Sequence, residues 1–301
     1  MIKKNLLYFK NINLDNSNYK KLNKFFIIKS IKQLSEIKLL SLNDKKKIFC
    51  IYCDPKFFYS KKILKNFEKL EYLISSTTGT SFIDKEYCKL KKIKIISLER
   101  DTKFLSKITP TAEHTFGLLL TLIRNYVPAI KAVNNGKFNR RPFGGYSMLS
   151  RLKLGIIGMG RLGIIVKKIA LGFSMEVIDC DKKSKNYKSK LKRICEECDI
   201  LSLHIPADNN INFFSKKNFS KMKKPFFLIN TSRGEVVDEK YIISLLKNNK
   251  ILGYATDVIK GEFSEKFKLK SNLIYQNRLK YNILITPHIG GSTIDAWKET
   301  E

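Results

Sequence analysis

The sequence predicts an α/β fold of two doubly wound parallel-sheet domains. Short apolar segments alternate with longer amphipathic segments along the whole chain, and this alternation is typical of repeated βαβ units. The chain has 301 residues, which is enough for two domains of about 100–200 residues each. Because 43% of the residues are hydrophobic, each domain can bury a core of its own.

Apolar segments bounded by polar residues are the candidate strands. The predicted strands are Phe25–Ile28, Ile48–Cys53, Tyr72–Ser75, Ile93–Ser97, Leu152–Ile157, Glu176–Cys180, Ile200–His204, Phe226–Ile229, Gly253–Val258 and Asn282–Ile285. Helical patterns lie between most of them. A longer helix is expected over Thr111–Lys131, because Thr109-Pro110 has the sequence of a helix start. Such a helix is suited to joining two domains or to packing against a second subunit.

The charge of the chain is strongly positive. It carries 58 Lys+Arg against 27 Asp+Glu, a formal net charge of +31, which is compatible with a nucleic-acid or membrane-surface partner. Nearly all of this charge is lysine, however, spread along the whole chain, and no motif of a nucleic-acid reader is present. We therefore expect no specific nucleic-acid partner, only weak association that salt weakens further.

No membrane partner is expected either. No apolar run in the sequence reaches the roughly 20 residues of a transmembrane helix. The segment Met1–Lys10 contains Lys3 and Lys4 but no long apolar stretch ending in small residues, which argues against a secretory signal. These features predict a cytoplasmic location.

Two pairs of cysteines have the CxxC spacing of zinc or redox sites: Cys50 with Cys53, and Cys195 with Cys198. The first pair lies in an apolar run that is typical of a buried strand, and the second lies at the end of a predicted helix. No further close ligand accompanies either pair. We therefore expect small buried hydrophobic side chains in a reducing compartment, and no metal site.

A glycine-rich turn, Gly158-Met-Gly160-Arg-Leu-Gly163, follows the predicted strand Leu152–Ile157. In a Rossmann dinucleotide site the first glycine permits the tight turn, the second lets the backbone approach the pyrophosphate, and the third lets helix and strand pack closely. The N-terminus of the following helix adds N–H groups and a positive dipole for the phosphates. The sequence thus predicts a dinucleotide site here, with a purely structural turn as the alternative.

Asp181 ends the next predicted strand, eighteen residues after Gly163. Its carboxylate can accept hydrogen bonds from a ribose diol and would repel a 2′-phosphate, so it favours NAD over NADP. Lys182 and Lys183 follow directly and soften that preference.

Polar residues follow several other predicted strands. His204 and Pro206, Arg233 and Asp257 all come just after apolar segments, and ligands of open α/β sheets lie beyond the carboxyl ends of strands. His288 lies in a loop before a Gly pair, a position suited to presenting an imidazole to a cleft. We expect these groups to converge.

A series of motifs runs from about Leu73 to the C-terminus. They are Ser75-Ser-Thr-Thr-Gly79, Thr111-Ala-Glu-His-Thr115, Gly136-Lys-Phe-Asn-Arg140, the glycine-rich turn, Leu203-His-Ile-Pro206, Asn230-Thr-Ser-Arg-Gly-Glu-Val-Val-Asp238, Asp257-Val258 and Pro287-His-Ile-Gly-Gly291. With them the chain resembles the D-isomer-specific 2-hydroxyacid dehydrogenases, which include phosphoglycerate dehydrogenases and glyoxylate/hydroxypyruvate reductases. The segment before Leu73 shows no match by eye.

The resemblance implies a catalytic trio. Arg233 matches the arginine that binds the substrate carboxylate and polarises the carbonyl, His288 matches the general acid/base, and Glu262 matches the acid that orients this imidazole. A cation for the anion, a proton carrier and a carboxylate that fixes its tautomer suit the reduction of a 2-oxo acid. The alternatives are an ordinary surface carboxylate at Glu262 and bystander roles for Arg233 and His288. His114 is expected to be structural.

The resemblance also implies two groups of binding residues. The cofactor-binding residues, for NAD, are Gly158, Gly160, Arg161, Leu162, Gly163, Asp181, His204, Pro206, Thr231, Asp257 and Gly290. The substrate-binding residues are Ser76, Thr77, Thr78 and Gly79. Where family members carry a longer glycine-rich loop, often with an arginine nearby and an aspartate after it, this chain has Ser75, Thr77 and Ser81. That departure argues against phosphoglycerate as the substrate.

Two Rossmann-like domains are implied: a flavodoxin-like substrate domain over residues 1–107, completed by 289–301, and an NAD-binding domain over 108–288. We expect an NAD-dependent D-2-hydroxyacid dehydrogenase that forms a homodimer through its NAD domains. The alternatives are D-3-phosphoglycerate dehydrogenase of serine biosynthesis, a non-catalytic NAD-sensing protein on the same fold, and a nucleic-acid-binding protein. Family sequences usually continue beyond the position of Glu301, so a truncated chain is a further expectation.

Overall fold

The computed structural model describes residues 3–10, 12, 14–264 and 266–301. Residues 1 and 2, with which the predicted substrate domain begins, lie outside the described residues. The chain divides into two compact units. The first unit comprises Met1–Ile108, Phe263–Phe267 and Thr293–Glu301, and the second comprises Thr109–Glu262 and Lys268–Ser292.

The first unit contains a parallel five-stranded sheet in the order β2-β1-β3-β4-β5. Its strands are β1 (Lys4–Phe9), β2 (Phe26–Ile31), β3 (Ile48–Tyr52), β4 (Tyr72–Ile74) and β5 (Lys94–Ile96). Its helices are α1 (Asn16–Phe25), α2 (Leu42–Lys47), α3 (Lys61–Leu64), α4 (Lys85–Leu90) and α5 (Thr102–Leu105), with α13 (Ile294–Thr300) near the C-terminus. The core forms around β1 and the central strand β3, where Leu7, Ile48 and Ile51 are fully buried.

Strand β1 was not predicted from the sequence. Its apolar run, Leu6–Phe9, is short and follows polar residues. The strand lies between β2 and β3, and its last five residues are all buried. A run of four apolar residues fits a buried helix segment as well as a strand, and periodicity cannot distinguish the two.

The second unit contains a parallel six-stranded sheet in the order β11-β10-β9-β8-β6-β7. Its strands are β6 (Lys153–Ile157), β7 (Glu176–Cys180), β8 (Ile200–Leu203), β9 (Phe226–Asn230), β10 (Ile251–Thr256) and β11 (Ile283–Ile285). Its helices are α6 (Pro110–Ile123), α7 (Tyr126–Asn134), α8 (Arg161–Gly172), α9 (Tyr187–Glu197), α10 (Lys216–Phe219), α11 (Glu239–Lys247) and α12 (Leu273–Asn277). Two separate hydrophobic clusters pack against this sheet. Together the two sheets confirm the predicted fold class.

The expectation of one long helix over Thr111–Lys131 is wrong, although the helix start is confirmed, with Pro110 in the first turn of α6. The backbone of Asn125 has a φ of 54°, and its side-chain amide donates to the carbonyl of Gly144 at 2.9 Å. Asparagine tolerates this left-handed conformation better than most residues, so the chain turns here and α7 begins anew.

Within the described ranges, no single helix is long and apolar enough to cross a membrane. The segments Thr102–Ile123 and Tyr126–Asn134 reach the required length and apolar character only when taken together, and a bend of 66° separates them.

All six cysteines are buried free thiols. Cys50 lies in β3, and Cys195 lies in the last turn of α9, in agreement with the predicted strand and helix end. In the part of the chain that the structure describes, no group of three or more His, Cys, Asp or Glu side chains is arranged to hold a metal ion.

Candidate active site

The carboxyl ends of five neighbouring strands in the second unit are in register. Ile157 of β6 pairs with Leu203 of β8, which pairs with Asn230 of β9; Asn230 pairs with Thr256 of β10, which pairs with Ile285 of β11. The loops that follow these residues therefore leave the sheet at one edge. They carry the glycine-rich turn and the predicted residues from His204 to Gly290. Asp181, the remaining predicted cofactor residue, follows β7, which pairs with β6.

The glycine-rich turn joins β6 to α8, and two of its glycines have no room for a side chain. Gly158 has a φ of 96°, and a Cβ there would lie 2.5 Å from the carbonyl oxygen of His204. A Cβ on Gly163 would lie 2.0 Å from the carbonyl oxygen of Gly158. At Gly160, in contrast, a Cβ would meet no described atom within 4 Å. The turn thus packs tightly on the sheet and has open space beside its middle glycine.

Arg161, Leu162 and Gly163 form the first turn of α8. The first N–H groups of a helix have no acceptor within the helix, and the helix dipole makes this end positive. The turn of α8 therefore presents the local environment that phosphate groups favour.

Asp181 follows β7 and holds the glycine-rich turn in place. Its Oδ2 accepts a hydrogen bond from the backbone N–H of Met159 at 2.9 Å, and its Oδ1 accepts one from the N–H of Lys183 at 2.9 Å. These two backbone donors lower the pKa of the Asp181 carboxyl below its usual range. The carboxylate is therefore ionised at neutral pH and fixed in orientation beside the turn.

His204, after β8, is placed with one ring nitrogen unsatisfied. Its Nε2 is hydrogen-bonded to Oγ of Ser202 at 2.8 Å, whereas its Nδ1 is buried with no hydrogen-bond partner among the described residues. Burial lowers the pKa of the imidazole to about 4, so the ring is neutral at pH 7. Pro206 follows two residues later, and its carbonyl accepts a hydrogen bond from the amide of Asn210 at 2.9 Å.

The loop after β9 is held from within by Asn230, which is fully buried. Its Oδ1 accepts hydrogen bonds from the N–H and the hydroxyl of Ser232, and its amide donates to the carbonyl of Arg233 at 2.9 Å. The guanidinium of Arg233 donates to the carbonyl of Ser232 at 2.6 Å. These hydrogen bonds fix the backbone of Arg233, whose side chain is half-buried.

The same loop is locked to the segment that leads to Glu262. A Cβ on Gly234 would lie 2.1 Å from the carbonyl carbon of Ile259, so these two backbones touch. Glu235 Oε1 also accepts a hydrogen bond from the N–H of Gly261 at 3.0 Å. Arg233 and Glu262 are therefore positioned by the same contact between two loops.

Thr231 is the first residue after β9 and is buried. Its hydroxyl is hydrogen-bonded to the hydroxyl of Thr115 on α6 at 2.8 Å. The predicted cofactor residue is thereby tied to the helix that packs beneath it.

Asp257 is almost fully buried after β10 and organises the loop that contains His288. Its Oδ1 accepts hydrogen bonds from the Thr286 hydroxyl at 2.6 Å and the Ile289 N–H at 2.9 Å, and its Oδ2 accepts one from the Gly290 N–H at 2.7 Å. His114 Nε2 lies 3.4 Å from Oδ1 and 3.0 Å from the Thr286 hydroxyl. Burial alone would raise the pKa of this carboxyl, but these hydrogen bonds outweigh it and lower the pKa.

Glu262 and His288 form a hydrogen-bonded pair. Oε1 of Glu262 accepts from Nδ1 of His288 at 2.9 Å, with 15% of the carboxylate side chain and 36% of the imidazole exposed. His288 has a φ of 54°, and its N–H donates to the carbonyl of Asp257 at 2.9 Å. An acceptor on Nδ1 selects the tautomer in which Nε2 is the nitrogen that exchanges a proton with a ligand.

The predicted substrate-binding residues, Ser76–Gly79, lie in the first unit directly after β4. Their loop is closed by side-chain hydroxyls: Ser75 and Thr77 are hydrogen-bonded at 2.8 Å, and Thr77 donates to the carbonyl of Gly79 at 2.7 Å. Ser75 is buried, and the residues from Ser76 to Gly79 are half-exposed.

Three of the residues that shape the site were not identified from the sequence: Asn230, Asn210 and Thr286. All three act by hydrogen bonds between or within loops that only the sheet brings together. Asn230 begins the Asn230–Asp238 motif, and its position at the end of β9 is the signal that could have identified it. His114, for which a structural role is expected, contacts Thr286 and Asp257.

Comparisons with known proteins find one family model and several relatives. A family model described as D-isomer specific 2-hydroxyacid dehydrogenase, NAD binding domain, matches residues 116–290. An aromatic 2-oxoacid reductase of Clostridium sporogenes is 33% identical over 241 residues, covering 75% of this chain and 71% of the relative. A glyoxylate reductase of Thermococcus litoralis is 31% identical over 256 residues, covering 78% and 72%. A D-3-phosphoglycerate dehydrogenase of Haemophilus influenzae is 32% identical over 225 residues, covering 72% and 53%.

Solved structures match nearly the whole chain. A D-lactate dehydrogenase from Aquifex aeolicus, complexed with NAD and lactic acid, has a TM-score of 0.79 and 26% sequence identity, covering 98% of this chain and 92% of that one. An acyclic imino acid reductase in complex with NADPH and D-Arg has a TM-score of 0.76 and 25% identity, covering 98% and 93%.

Proposed function

The chain belongs to the D-isomer specific 2-hydroxyacid dehydrogenases, a family of NAD-dependent oxidoreductases, and we propose that it interconverts a small 2-oxo acid and the D-2-hydroxy acid. The observation that carries this proposal is the pairing of His288 Nδ1 with Glu262 Oε1 at 2.9 Å, beside the loop of Arg233. A proton carrier oriented by a carboxylate is what reduction of a carbonyl oxygen requires.

The residues of the second unit fit NAD. No described atom lies within 4 Å of a Cβ position at Gly160, which leaves the backbone there open to a pyrophosphate. The first turn of α8 supplies donors, and Asp181 is fixed and ionised for a ribose diol. His204 Nδ1 is a buried polar atom that still lacks a partner, as expected beside a polar ligand. When bound, NAD(H) supplies or accepts a hydride at nicotinamide C4.

Arg233 is the residue that binds the substrate carboxylate. Its guanidinium carries a permanent positive charge in a planar fork that matches two carboxylate oxygens. Asn230 and Gly234 fix its backbone on either side of the loop, so the side chain approaches the substrate from a rigid base. A bound carboxylate orients the neighbouring carbonyl for reaction.

His288 donates a proton to the substrate carbonyl oxygen during reduction and takes it back during oxidation. Because Glu262 accepts from Nδ1, the reacting proton is held on Nε2. The carboxylate of Glu262 also stabilises the imidazolium that forms when the hydroxyl is oxidised.

The first unit is assigned as the substrate domain and the second as the NAD-binding domain. Within the first unit, Ser76–Gly79 are the proposed substrate-binding residues, with hydroxyl and backbone groups that can bind an acid. The loop from Ser75 to Ser81 contains no basic residue, which favours a small acid over a phosphorylated one.

We further propose a cytoplasmic homodimer formed through the second unit. On α7, Val127, Ile130 and Val133 are 51%, 60% and 53% exposed, and they recur every three residues on one side of the helix. An exposed apolar stripe of this kind is typical of a surface that another subunit covers.

The test is NADH oxidation by the purified protein against glyoxylate, hydroxypyruvate, phosphohydroxypyruvate, pyruvate and 2-oxoglutarate, with His288→Ala in parallel. We expect turnover with a small 2-oxo acid, lost by a factor of about 10² or more in the variant, while NADH affinity stays within about twofold. Undiminished turnover in His288→Ala would overturn the assignment of the proton carrier. Tight NADH binding without turnover on any acid would favour a non-catalytic NAD-sensing protein.

A further inference from the structure

Lys182, next to Asp181, is tied to the loop that follows β8. Its Nζ donates to Oδ1 of Asn210 at 2.5 Å and to the carbonyl of Asn209 at 3.4 Å. The ammonium also lies 5.4 Å from the ring centroid of Phe213. The cation nearest in sequence to the proposed ribose site is therefore bound to another loop.

The acceptor for this lysine is itself fixed in orientation. Asn210 is 9% exposed, and its Nδ2 donates to the carbonyls of Pro206 at 2.9 Å and Asp208 at 3.2 Å. Because the amide nitrogen has two carbonyl acceptors, Oδ1 must face the other way, toward Lys182. The carboxamide is thus prepared to hold an ammonium before any ligand binds.

The position of this ammonium matters for the choice of dinucleotide. NADP differs from NAD by a 2′-phosphate on the adenosine ribose, and sites that accept it place a cation near the end of this strand. Asp181 cannot turn away from the ribose, because backbone N–H groups hold both of its oxygens. A 2′-phosphate would therefore need a compensating cation close by, and Lys182 is held on Asn210.

We propose that Asn210 is a specificity residue for NAD over NADP, which acts by holding the Lys182 ammonium away from a 2′-phosphate. The inference rests on the proposed role of Asp181 at the ribose, and it is independent of the reaction and of the substrate. Asn210 is a positioning residue here, since it acts through Lys182.

The experiment measures the Kd of NADH and of NADPH by nicotinamide fluorescence, without substrate, in about 0.15 M salt to screen distant charges. We expect the wild-type chain to bind NADH more tightly than NADPH. Asn210→Ala should tighten NADPH binding by about fivefold relative to NADH binding, which is the effect expected of one cation at an exposed phosphate. Lys182→Met alone should leave NADPH binding within about twofold of wild type, because the lysine does not serve the phosphate.

Two double variants of equal net charge test whether a gain in NADPH affinity comes from the released Lys182 ammonium or from a loosened loop. When Asn210→Ala is combined with Lys182→Met, the gain in NADPH affinity should disappear. When Asn210→Ala is combined with Lys183→Met, the gain should remain. A gain that survives removal of Lys182 would overturn the proposal, and so would a several-fold weakening of NADPH binding in Lys182→Met alone. If Asn210→Ala does not fold, Lys182→Met still decides, because it changes only an exposed side chain. Loss of turnover with intact dinucleotide binding would count against the proposed reaction and not against this inference.

Discussion

The backbone N–H of His288 donates to the carbonyl of Asp257, and the carboxylate of the same aspartate accepts the N–H groups of the next two residues, Ile289 and Gly290. The carbonyl and the carboxylate of one buried residue together hold three consecutive residues of the loop that carries the proposed proton carrier. The left-handed backbone of His288, with a φ of 54°, is maintained by these contacts.

Asp257→Asn should therefore impair both stability and turnover. An amide that accepts from Thr286 and Ile289 turns its NH₂ toward the Gly290 N–H, and two donors then face each other in a buried place. We expect a loss of about 2 kcal/mol in the free energy of unfolding and a fall of about tenfold or more in kcat. Urea denaturation and steady-state kinetics measure the two effects. Wild-type values for both would show that the carboxylate does not hold the loop.

Glu262→Gln should lower kcat by about tenfold while leaving the KM for the 2-oxo acid within about twofold. The amide oxygen still accepts from His288 Nδ1, but the negative charge that stabilises the imidazolium is gone. Glu176→Gln, at a carboxylate whose side chain is 55% exposed, is the control and should be neutral. A rise in KM with unchanged kcat would instead place Glu262 in substrate binding.

Gly163→Ala and Gly172→Ala should act in opposite directions although both lie on α8. A Cβ at Gly163 would lie 2.0 Å from the Gly158 carbonyl oxygen, whereas a Cβ at Gly172 meets no described atom within 4 Å. We expect a loss of about 2 kcal/mol and weaker NADH binding for the first variant, and a gain of up to about 1 kcal/mol for the second. Thermal unfolding with and without NADH distinguishes them. Equal effects of the two variants would contradict the tight packing of the turn.

Stability should fall on acidification through His204. Burial lowers the pKa of its imidazole to about 4 in the folded chain, below the ordinary value of about 6.5, so the unfolded chain binds the proton first. The resulting loss of stability is absent above pH 6.5, grows as the pH falls, and is complete below pH 4. Between pH 7.5 and pH 5 we expect it to reach about 1–2 kcal/mol.

His204→Gln keeps a polar group beside Ser202 and cannot titrate. The variant should lose less stability than the wild-type chain between the two pH values in urea titrations, since all other titrating groups are the same. Parallel pH profiles for the two proteins would show that His204 is protonated as easily in the folded chain as in the unfolded one.

Ile130→Glu should convert the proposed dimer into single chains. The side chain is 60% exposed at the centre of the α7 stripe, and a carboxylate buried there against another apolar surface is costly. Light scattering after size exclusion gives the mass. Leu39→Glu, at a residue of the first unit that is 83% exposed, is the matched control and should leave the mass unchanged. A wild-type chain that is already monomeric would refute the dimer.

The sequence predicts those parts of the molecule that local rules govern. The glycine-rich turn and most of the strands follow from glycine spacing and apolar runs, and the helix start at Pro110 follows from its Thr-Pro pair. The break at Asn125 does not, because apolar residues continue on both sides of it. Strand β1 is not identified either, because an apolar run of four residues fits a buried helix segment as well as a strand.

The candidate site is predictable only in its parts. Glu262 and His288 lie 26 positions apart with no local pattern between them, and family resemblance alone suggested the pair. Asn210 and Thr286 gave no signal at all, because their hydrogen bonds depend on which loops the strand order places side by side. Sequence spacing carries no information about such contacts until the sheet is known.

The burial of the cysteines has a consequence for how unfolding can be followed. Cys50, Cys53 and Cys88 belong to the first unit, and Cys180, Cys195 and Cys198 to the second. Burial raises the pKa of each thiol, to about 12 for Cys50 and Cys198, so the reactive thiolate is scarce in the native chain. Each unit thus contains three buried cysteines that react with an alkylating reagent only when that unit unfolds, so alkylation of each set reports the unfolding of its own unit.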